Sequence, residues 1–212
     1  MDLDAVRRGA EAPVLADART ASSAAADLAA AFVDDPIFNW FMRTDGKRDA
    51  ARGRMFELLV REMALPDGEV ERPEAGGAAA VWLSSDRAGP QSLSRELRAL
   101  PTLLNATGLA RFGRLAGLRG LMEEHHPMDR PHDYLQFLGV HPNAQGAGVG
   151  SRLLGSRTKK LDASQRCAFL ETGTPRNVPL YQRFGFRIIA EYTPQPDGPL
   201  IWAMWRDPQP PA

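Results

Sequence analysis

The sequence has very little cysteine: Cys167 is the single one among 212 residues. One cysteine excludes an internal disulfide and is too few for a thiolate zinc site, so a reducing compartment is expected. Long apolar runs are missing as well, since no stretch approaches the ~18 residues of a membrane span and the start shows no basic, apolar leader. These absences predict a cytoplasmic protein that has no membrane partner.

Net charge is also absent, because 26 lysines and arginines balance 26 acidic residues. Only Lys47, Lys159 and Lys160 are lysines, and the arginines are spread along the chain. A chain without a charged face has no field that would attract nucleic acid, so nucleic acid is excluded as the expected partner. The length suits one domain, residues 1–212, and a small-molecule partner is expected.

Hydrophobic patterning predicts helices and short strands before residue 126 and a regular alternation of the two after it. In the first part we expect strands at 14–18, 69–72 and 78–83, and helices at 22–33, at 47–64 and within 92–124, where Pro101 should divide the region. In the second part we expect strands at 134–140, 167–172, 186–192 and 200–205, with helices at 151–163 and 178–184. The proline-rich end, 207–212, is expected to fray.

A glycine-rich turn, Gln145 to Ser151, separates a predicted strand from a predicted helix. Its three glycines permit positive φ and close approach of a ligand, while the free N–H groups and dipole of the next helix favour phosphate. No lysine separates Gly150 from Ser151, which excludes a P-loop. A dinucleotide fold stays open as an alternative because Glu171 ends the next strand, although G-x-G-x-G departs from its fingerprint and the chain that follows is too short for a full second half.

The run from Gln145 to Gly150 resembles the acetyl-CoA-binding motif of the GNAT superfamily of acetyltransferases, Gln/Arg-x-x-Gly-x-Gly/Ala. Asn177, Tyr181 and Gly185-Phe186 resemble the family's Asn-x-x-x-Tyr-x-x-x-Gly-Phe element in identity and spacing. Within the superfamily, residues 134–204 are most similar to puromycin N-acetyltransferase and related bacterial enzymes, whereas the part of the chain before them is only weakly similar.

The resemblance implies an α+β fold: a mostly antiparallel mixed sheet of about seven strands, flanked by helices and splayed between the fourth and fifth strands. It implies acetyl-CoA as co-substrate and no metal, with a cofactor-binding core at about 132–206 and acceptor-side helices at about 20–64 and 92–126. The implied cofactor contacts are Leu138, Gly139, Val140, Gln145, Gly146, Ala147, Gly148, Val149, Gly150, Ser151, Asn177 and Tyr181.

Acetyl transfer needs a base for the amine proton and gains from an acid beside the departing thiolate. Tyr181 is the predicted acid from its place in the family element, and Glu171 is the candidate base because strand alternation separates it from its neighbours. Structural roles stay open: a core aromatic for Tyr181, an acid bonded to backbone N–H groups for Glu171 and an ordinary N-cap for Asn177. Further base candidates are Glu123, Glu124, His125, His126 and His132.

The resemblance implies an acceptor site at the segment 34–40, because in the family the loop between the first two helices overhangs the cleft. The expected residues are Asp35, Phe38 and Trp40, together with Tyr134. A carboxylate beside aromatic rings suits a cationic amine, and an acidic turn with apolar residues entering the core is the alternative. The predicted function is direct transfer of an acetyl group from acetyl-CoA to a primary amine of a small molecule, by a monomer or homodimer. A non-catalytic CoA-sensing or protein-binding module is the alternative from another class, and a nicotinamide dinucleotide-binding protein is a distant one.

Overall fold

The computed structural model describes residues 1–87 and 93–210, and within them seven strands form one sheet. The strands are β1 (Val14–Leu15), β2 (Gly68–Arg72), β3 (Ala78–Ser84), β4 (His132–Val140), β5 (Cys167–Thr172), β6 (Arg187–Tyr192) and β7 (Ile201–Arg206). Their order is β1-β2-β3-β4-β5-β7-β6, and β4 and β5 are the parallel pair in this otherwise antiparallel sheet. The mostly antiparallel mixed sheet is therefore confirmed.

Nine α-helices accompany the sheet in the described part of the chain. They are α1 (Leu3–Glu11), α2 (Ala21–Ala31), α3 (Pro36–Phe41), α4 (Arg48–Leu58), α5 (Leu65–Asp67), α6 (Leu93–Thr107), α7 (Phe112–His125), α8 (Val149–Ala163) and α9 (Val178–Arg183). A π-helical segment, Leu59–Ala64, joins α4 to α5. Across the described ranges, none of the helices has the length and apolar character needed to cross a bilayer.

Strand alternation gives the sheet two packed faces. Phe169 of β5 and Val81 of β3 lie in one core cluster with α2, α3, α4 and α7, whereas their chain neighbours Leu170 and Trp82 lie in a second cluster with α8 and α9. α1 covers the start of α8 through Val6 and Ala10. Apart from α1, the helices before β4 therefore cover one face, and those after β4 cover the other.

The pairing between β4 and β5 stops early, which opens the sheet. Only residues 132–135 of β4 pair with β5. Opposite β3, Leu135 pairs with Trp82 and Phe137 pairs with Val81, so Gln136 is an extra residue on β4 and forms a β-bulge. A bulge bends its strand, and here β4 leaves β5 at that residue. The predicted splay between the fourth and fifth strands is confirmed.

Several predicted boundaries are wrong. Pro101 does not divide its helix: α6 runs through it and ends before Gly108, whose φ is 67°. Pro101 lacks an N–H for the carbonyl of Leu97, but water can replace that bond because Leu97 is 61 % exposed. β1 stops at Leu15, because the Asp17 carboxylate accepts the N–H groups of residues 19 and 20 and turns the chain into α2. The predicted start of the helical region, Ser92, lies outside the described residues.

The ends of the chain are more ordered than the sequence predicts. α1, which the sequence did not indicate, begins at an N-cap in which the Asp2 carboxylate accepts the N–H groups of Asp4 and Ala5. Asp207 does not fray, since it forms ion pairs with Arg130 and Arg187. Gln209 is also held, because its N–H donates to the Asp162 carboxylate at 2.7 Å, and Pro211 and Ala212 lie outside the described residues.

Candidate active site

Two cavities meet where β4 leaves β5. The turn cavity, of about 520 Å³, lies along the end of β4 and the glycine turn, where Leu138, Gly139, Val140, Gln145 and Gly146 line it. The aromatic cavity, of about 200 Å³, lies on the other side of the splay under α3, α4 and α7, where Phe32, Phe38, Phe41 and Phe137 line it. Both are lined by Phe32, Asp35, Leu138, Asn177 and Tyr181. A molecule in one cavity can therefore reach a molecule in the other past these side chains.

The glycine turn holds a conformation that suits an anion. Gly146 has a φ of 75° and Gly148 a φ of 74°. Gly148 is the N-cap of α8 and has no side chain, so the first N–H groups of α8 have no capping group. The Arg152 guanidinium donates to the carbonyls of Ala147 and Gly148 at 3.2 Å and to Glu11 at 2.8 Å. These bonds stabilise the turn before any ligand arrives, and the helix dipole favours negative charge there.

The main chain of β4 faces the turn cavity at alternate residues. The N–H of His141 donates to the carbonyl of Gly77, on the β3 side. The carbonyl of Val140 accepts from the Gln145 side chain at 3.0 Å, on the opposite side. Because N–H and C=O groups of successive strand residues point to opposite edges, Leu138 and Val140 present theirs to the splay. An amide-containing ligand can pair with these two residues as a further strand would.

The predicted cofactor residues divide into two groups. Leu138, Gly139, Val140, Gln145, Gly146, Gly150, Asn177 and Tyr181 line the turn cavity, whereas Ala147, Gly148, Val149 and Ser151 do not. Val149 is buried in a core cluster with Leu153, so its side chain cannot reach a ligand. Sequence reasoning missed Arg176, which lines the cavity and makes no hydrogen bond or ion pair within the described residues. Its place directly before Asn177, where the Asn-x-x-x-Tyr element begins, was the available signal.

Asn177 does not take the structural role left open for it, whereas Tyr181 does lie in a core cluster but keeps a free hydroxyl. Asn177 stands at the N-cap position of α9, but its side chain makes no capping bond. Tyr181 is 6 % exposed and packs edge-on against Phe186, yet its hydroxyl has no hydrogen-bond partner among the described residues and borders both cavities. Burial, and then the Asp35 carboxylate, raise the pKa of Tyr181, so the phenol keeps its proton at neutral pH. Both polar groups are free for a ligand.

Glu171 lies in the aromatic cavity, where two phenols contact it. The hydroxyl of Tyr134 donates to Oε2 at 3.1 Å, and that of Tyr192 donates to Oε1. The alternative of bonds from backbone N–H groups is therefore wrong. Burial raises the pKa of Glu171 to about 7, against the lowering effect of the two phenols and of His125. A carboxyl group that titrates near neutral pH can accept a proton from a substrate and release it again.

The predicted acceptor residues fall in two places. Asp35, Phe38 and Tyr134 line the aromatic cavity, but Trp40 lines neither cavity. Residues two apart on a helix point in nearly opposite directions, so α3 turns Trp40 away from Phe38. Trp40 instead donates to Asp197 at 3.2 Å beneath the Arg114 guanidinium.

The Asp35 carboxylate combines a structural role with a position at the site. Its Oδ1 caps α3 by accepting the N–H groups of Ile37 and Phe38, and its Oδ2 accepts from the Thr174 hydroxyl at 3.4 Å. Burial raises the pKa of Asp35 despite these bonds. Its remaining lone pairs face the junction of the two cavities.

The histidines near β4 lie apart from both cavities. His132 Nδ1 faces the carbonyl of Arg130 at 2.8 Å and so donates to it. The Nε2 of His132 is then the acceptor for His126, at 2.9 Å. Burial lowers the pKa of His126 to about 4, so the His126 ring stays neutral near pH 7. His125 stacks on Tyr192 with 4.1 Å between the ring centroids, and Glu123 and Glu124 are exposed.

In the residues described, no three or more side chains of the metal-ligating types lie close enough together to hold a metal ion.

Comparison with known proteins agrees with this geometry. Residues 109–188 match the sequence model of the GNAT acetyltransferase domain. A solved structure from Corynebacterium glutamicum, described as histone acetyltransferase HPA2 and related acetyltransferase, is 26 % identical, with coverage of 94 % of this chain and 97 % of that chain and a TM-score of 0.67. The same fold occurs in a polyamine N-acetyltransferase of Drosophila melanogaster, with 17 % identity, coverage of 92 % and 99 % and a TM-score of 0.62. It also occurs in arylalkylamine N-acetyltransferase 2 of Aedes aegypti, with 12 % identity, coverage of 93 % and 98 % and a TM-score of 0.58.

Residues 109–188 carry a GNAT acetyltransferase domain, and the chain has the GNAT fold. It is thus an enzyme of the acyltransferase class. The narrower resemblance to puromycin N-acetyltransferase stays a prediction.

Proposed function

We propose that the protein transfers the acetyl group of acetyl-CoA to a primary amine of a small molecule, directly between two bound substrates. The observation that carries the proposal is the junction of the two cavities at Tyr181. On one side lies a turn suited to phosphate, and on the other lies a carboxyl group whose pKa is about 7.

Acetyl-CoA fits the turn cavity by its chemistry. The N–H groups around Gly146 and Gly148 would hold the pyrophosphate, and the free Arg176 guanidinium would neutralise a phosphate charge. Leu138 and Val140 would pair with the amides of the pantetheine arm. These contacts would bring the thioester to the junction beside Asn177 and Tyr181.

The chemistry then follows from the residues at the junction. Glu171, directly or through water, would take a proton from the ammonium, and the neutral nitrogen would attack the thioester carbonyl. A new C–N bond forms, the C–S bond breaks, and the thiolate leaves. The Tyr181 hydroxyl would donate a hydrogen bond to the sulfur as negative charge develops there. The thiolate then takes up the second proton that the nitrogen loses as the amide forms, and the first proton leaves Glu171 for the solvent. Near neutral pH, the Tyr181 hydroxyl is protonated and can donate its hydrogen bond, and the Glu171 carboxylate can take up a proton.

The structure of the site disfavours the alternatives. A dinucleotide-binding fold has a doubly wound parallel sheet, whereas this sheet has one parallel pair. A module that only senses CoA does not need a carboxyl group that titrates near neutral pH in a second cavity, as Glu171 does. Nor does it need a phenol without a hydrogen-bond partner between the two cavities, such as Tyr181.

Two measurements test the proposal. Acetyl-CoA at a hundredfold excess over Kd should stabilise the fold by ~2.7 kcal/mol, seen as a higher Tm, with a much smaller effect of NAD or ATP. Incubation with acetyl-CoA and a panel of primary amines should release free thiol. Preferential stabilisation by NAD would overturn the cofactor assignment, and stabilisation by acetyl-CoA without thiol release for any amine would favour the non-catalytic module.

A further inference from the structure

Building on the proposed function, we propose that the acceptor is a monoamine with one aromatic or similarly compact apolar group, and that diamines, polyamines and amino acids are poor acceptors. The basis is the lining of the aromatic cavity, which combines a wall of phenylalanines with carboxyl groups close to the junction.

The aromatic wall comes from four different elements. Phe32, which follows α2, Phe38 of α3 and Phe137 of β4 line the cavity, and Phe56 of α4 packs against all three rings. The centroids of neighbouring rings lie between 5.1 and 5.8 Å apart for Phe32–Phe38, Phe38–Phe56, Phe56–Phe137 and Phe32–Phe137. Such spacing is typical of well-packed aromatic clusters. The wall is therefore rigid, and it offers ring edges and faces to a guest.

The size of the cavity sets the size of the guest. An apolar cavity of ~150 Å³ is large enough to bind benzene. The aromatic cavity, of about 200 Å³, can therefore hold one ring with a short chain that carries the amine. A two-ring body or a peptide segment would have to remain outside.

The distribution of charge sets the number of cationic groups. Among the described residues that line this cavity, Asp35 and Glu171 are the carboxylates, and none is lysine, arginine or histidine. Asp35 also borders the turn cavity, which places one acid at the junction where the amine reacts. The walls from α4, the π-helical segment and α7 carry Met55, Leu59, Leu115 and Leu118, each at most 8 % exposed.

A second ammonium against those apolar walls would be desolvated without a partner. It would enter only after losing its proton, which at pH 7.5 disfavours it by a factor of about 10³ for a pKa near 10.4. A carboxylate beside the amine would meet Asp35 and Glu171 without a cation to balance it. The apolar walls and the two carboxylates therefore both select a singly charged amine with an apolar body.

Matched amines test the inference by thiol release. Hexylamine and 1,6-diaminohexane share one chain and differ in the second ammonium, and 2-phenylethylamine and phenylalanine differ in the carboxylate. We expect kcat/KM to be at least 100-fold higher for the first member of each pair. A value for 1,6-diaminohexane or spermidine within tenfold of that for hexylamine would overturn the inference.

A variant pair locates the effect in this cavity. Met122 lines it from α7 and is half-buried, so Met122→Glu adds an acid at the apolar wall, and Met122→Gln adds the same shape without charge. Met122→Glu should raise the ratio of kcat/KM for 1,6-diaminohexane to that for hexylamine at least tenfold, whereas Met122→Gln should not. An equal ratio in both variants would show that the body of the amine lies elsewhere.

The readouts separate failure of the inference from failure of the proposed function. If diamines or peptides release thiol faster than the monoamines, acetyl transfer stands and only the substrate class is wrong. If acetyl-CoA raises Tm but no amine releases thiol, the proposed function falls, and this inference falls with it. Should Met122→Glu not fold, Tm of the wild-type protein with CoA decides: 2-phenylethylamine should raise it, phenylalanine should not, and equal shifts would overturn the inference.

Discussion

The two cavities that meet at Tyr181 are built from different parts of the polypeptide. On one side the turn cavity presents the backbone of β4, the glycine turn and the start of α8, and on the other it presents side chains such as Arg176, Asn177 and Tyr181. The aromatic cavity presents side chains from α3, α4, α7, β4 and β5. A substitution in β4 or the glycine turn therefore changes the turn cavity mainly when it changes backbone conformation. Any substitution in the lining of the aromatic cavity changes that cavity. Recognition of the shared donor depends on geometry, and the choice of acceptor depends on side-chain identity.

The largest expected effect is on the rate of a variant at Glu171, which lies in the aromatic cavity. Glu171→Gln keeps the size of the side chain but removes the base, so the single-turnover rate should fall by ~10² to 10⁴ while the rise in Tm with acetyl-CoA is unchanged. Glu124→Gln, an exposed site outside both cavities, is the matched control and should have no effect. A Glu171→Gln rate within threefold of wild type would mean that another group takes the proton.

The pH dependence tests the same group without a substitution. Because burial raises the pKa of Glu171 to about 7, the carboxylate form is lost as pH falls through that value. The kcat/KM for the amine, which reports the pKa values of the free enzyme, should then fall nearly tenfold per unit below pH 7, to about 100-fold below its plateau by pH 5. The slope should disappear in Glu171→Gln, and a flat wild-type profile between pH 5 and 8 would contradict the assignment.

At the junction itself, Tyr181→Phe keeps the ring and deletes the hydroxyl. Because a positioned acid contributes ~10² or more, the single-turnover rate should fall by that factor while acetyl-CoA affinity changes little. Single-turnover rates are needed because slow product release could hide a slower chemical step. A loss confined to affinity would instead make the hydroxyl a cofactor contact.

On the backbone side, Gly148→Ala should weaken acetyl-CoA binding about tenfold. Gly148 has a φ of 74°, and an added Cβ would lie 2.6 Å from the Arg152 guanidinium that stabilises the turn. Alanine tolerates neither that φ nor that contact without strain. Gly108→Ala is the matched control, because Gly108 also has positive φ, at 67°, but follows α6 and is not part of the glycine turn. The control should lose stability and keep its Kd, so equal Kd values for the two variants would show that the turn does not hold the phosphates.

The smallest expected effect concerns α7, which supplies one wall of the aromatic cavity. Gly117 is exposed within this helix, and a Cβ there would meet nothing within 4 Å. Gly117→Ala should raise the free energy of unfolding by about 0.5–1 kcal/mol, because alanine lowers the backbone entropy of the unfolded chain. Chemical denaturation would measure this, and a destabilised variant would mean that α7 needs glycine there for another reason.

The two cavities could be predicted from the sequence to unequal extents, for a physical reason. Most elements from β4 onward are within two residues of their predicted bounds, and the turn was found because glycine spacing reports backbone conformation directly. The aromatic cavity depends on packing between distant segments. Apolar periodicity identified the buried face of α7 but could not show whether that face packs against the core or lines a cavity. Nothing local links Glu171 to Tyr192, which reaches it from β6.

The bulge at Gln136 leaves the end of β4 as a sheet edge inside the molecule. Exposed edges invite pairing with other chains. Here α2 covers the strand so closely that a Cβ on Gly139 would lie 2.8 Å from Leu28. Only a thin, extended, amide-bearing ligand can enter beside it. Such a ligand would act as an eighth strand. The amide hydrogens of Leu138 and Val140 would then exchange with solvent more slowly in the complex than in the empty protein.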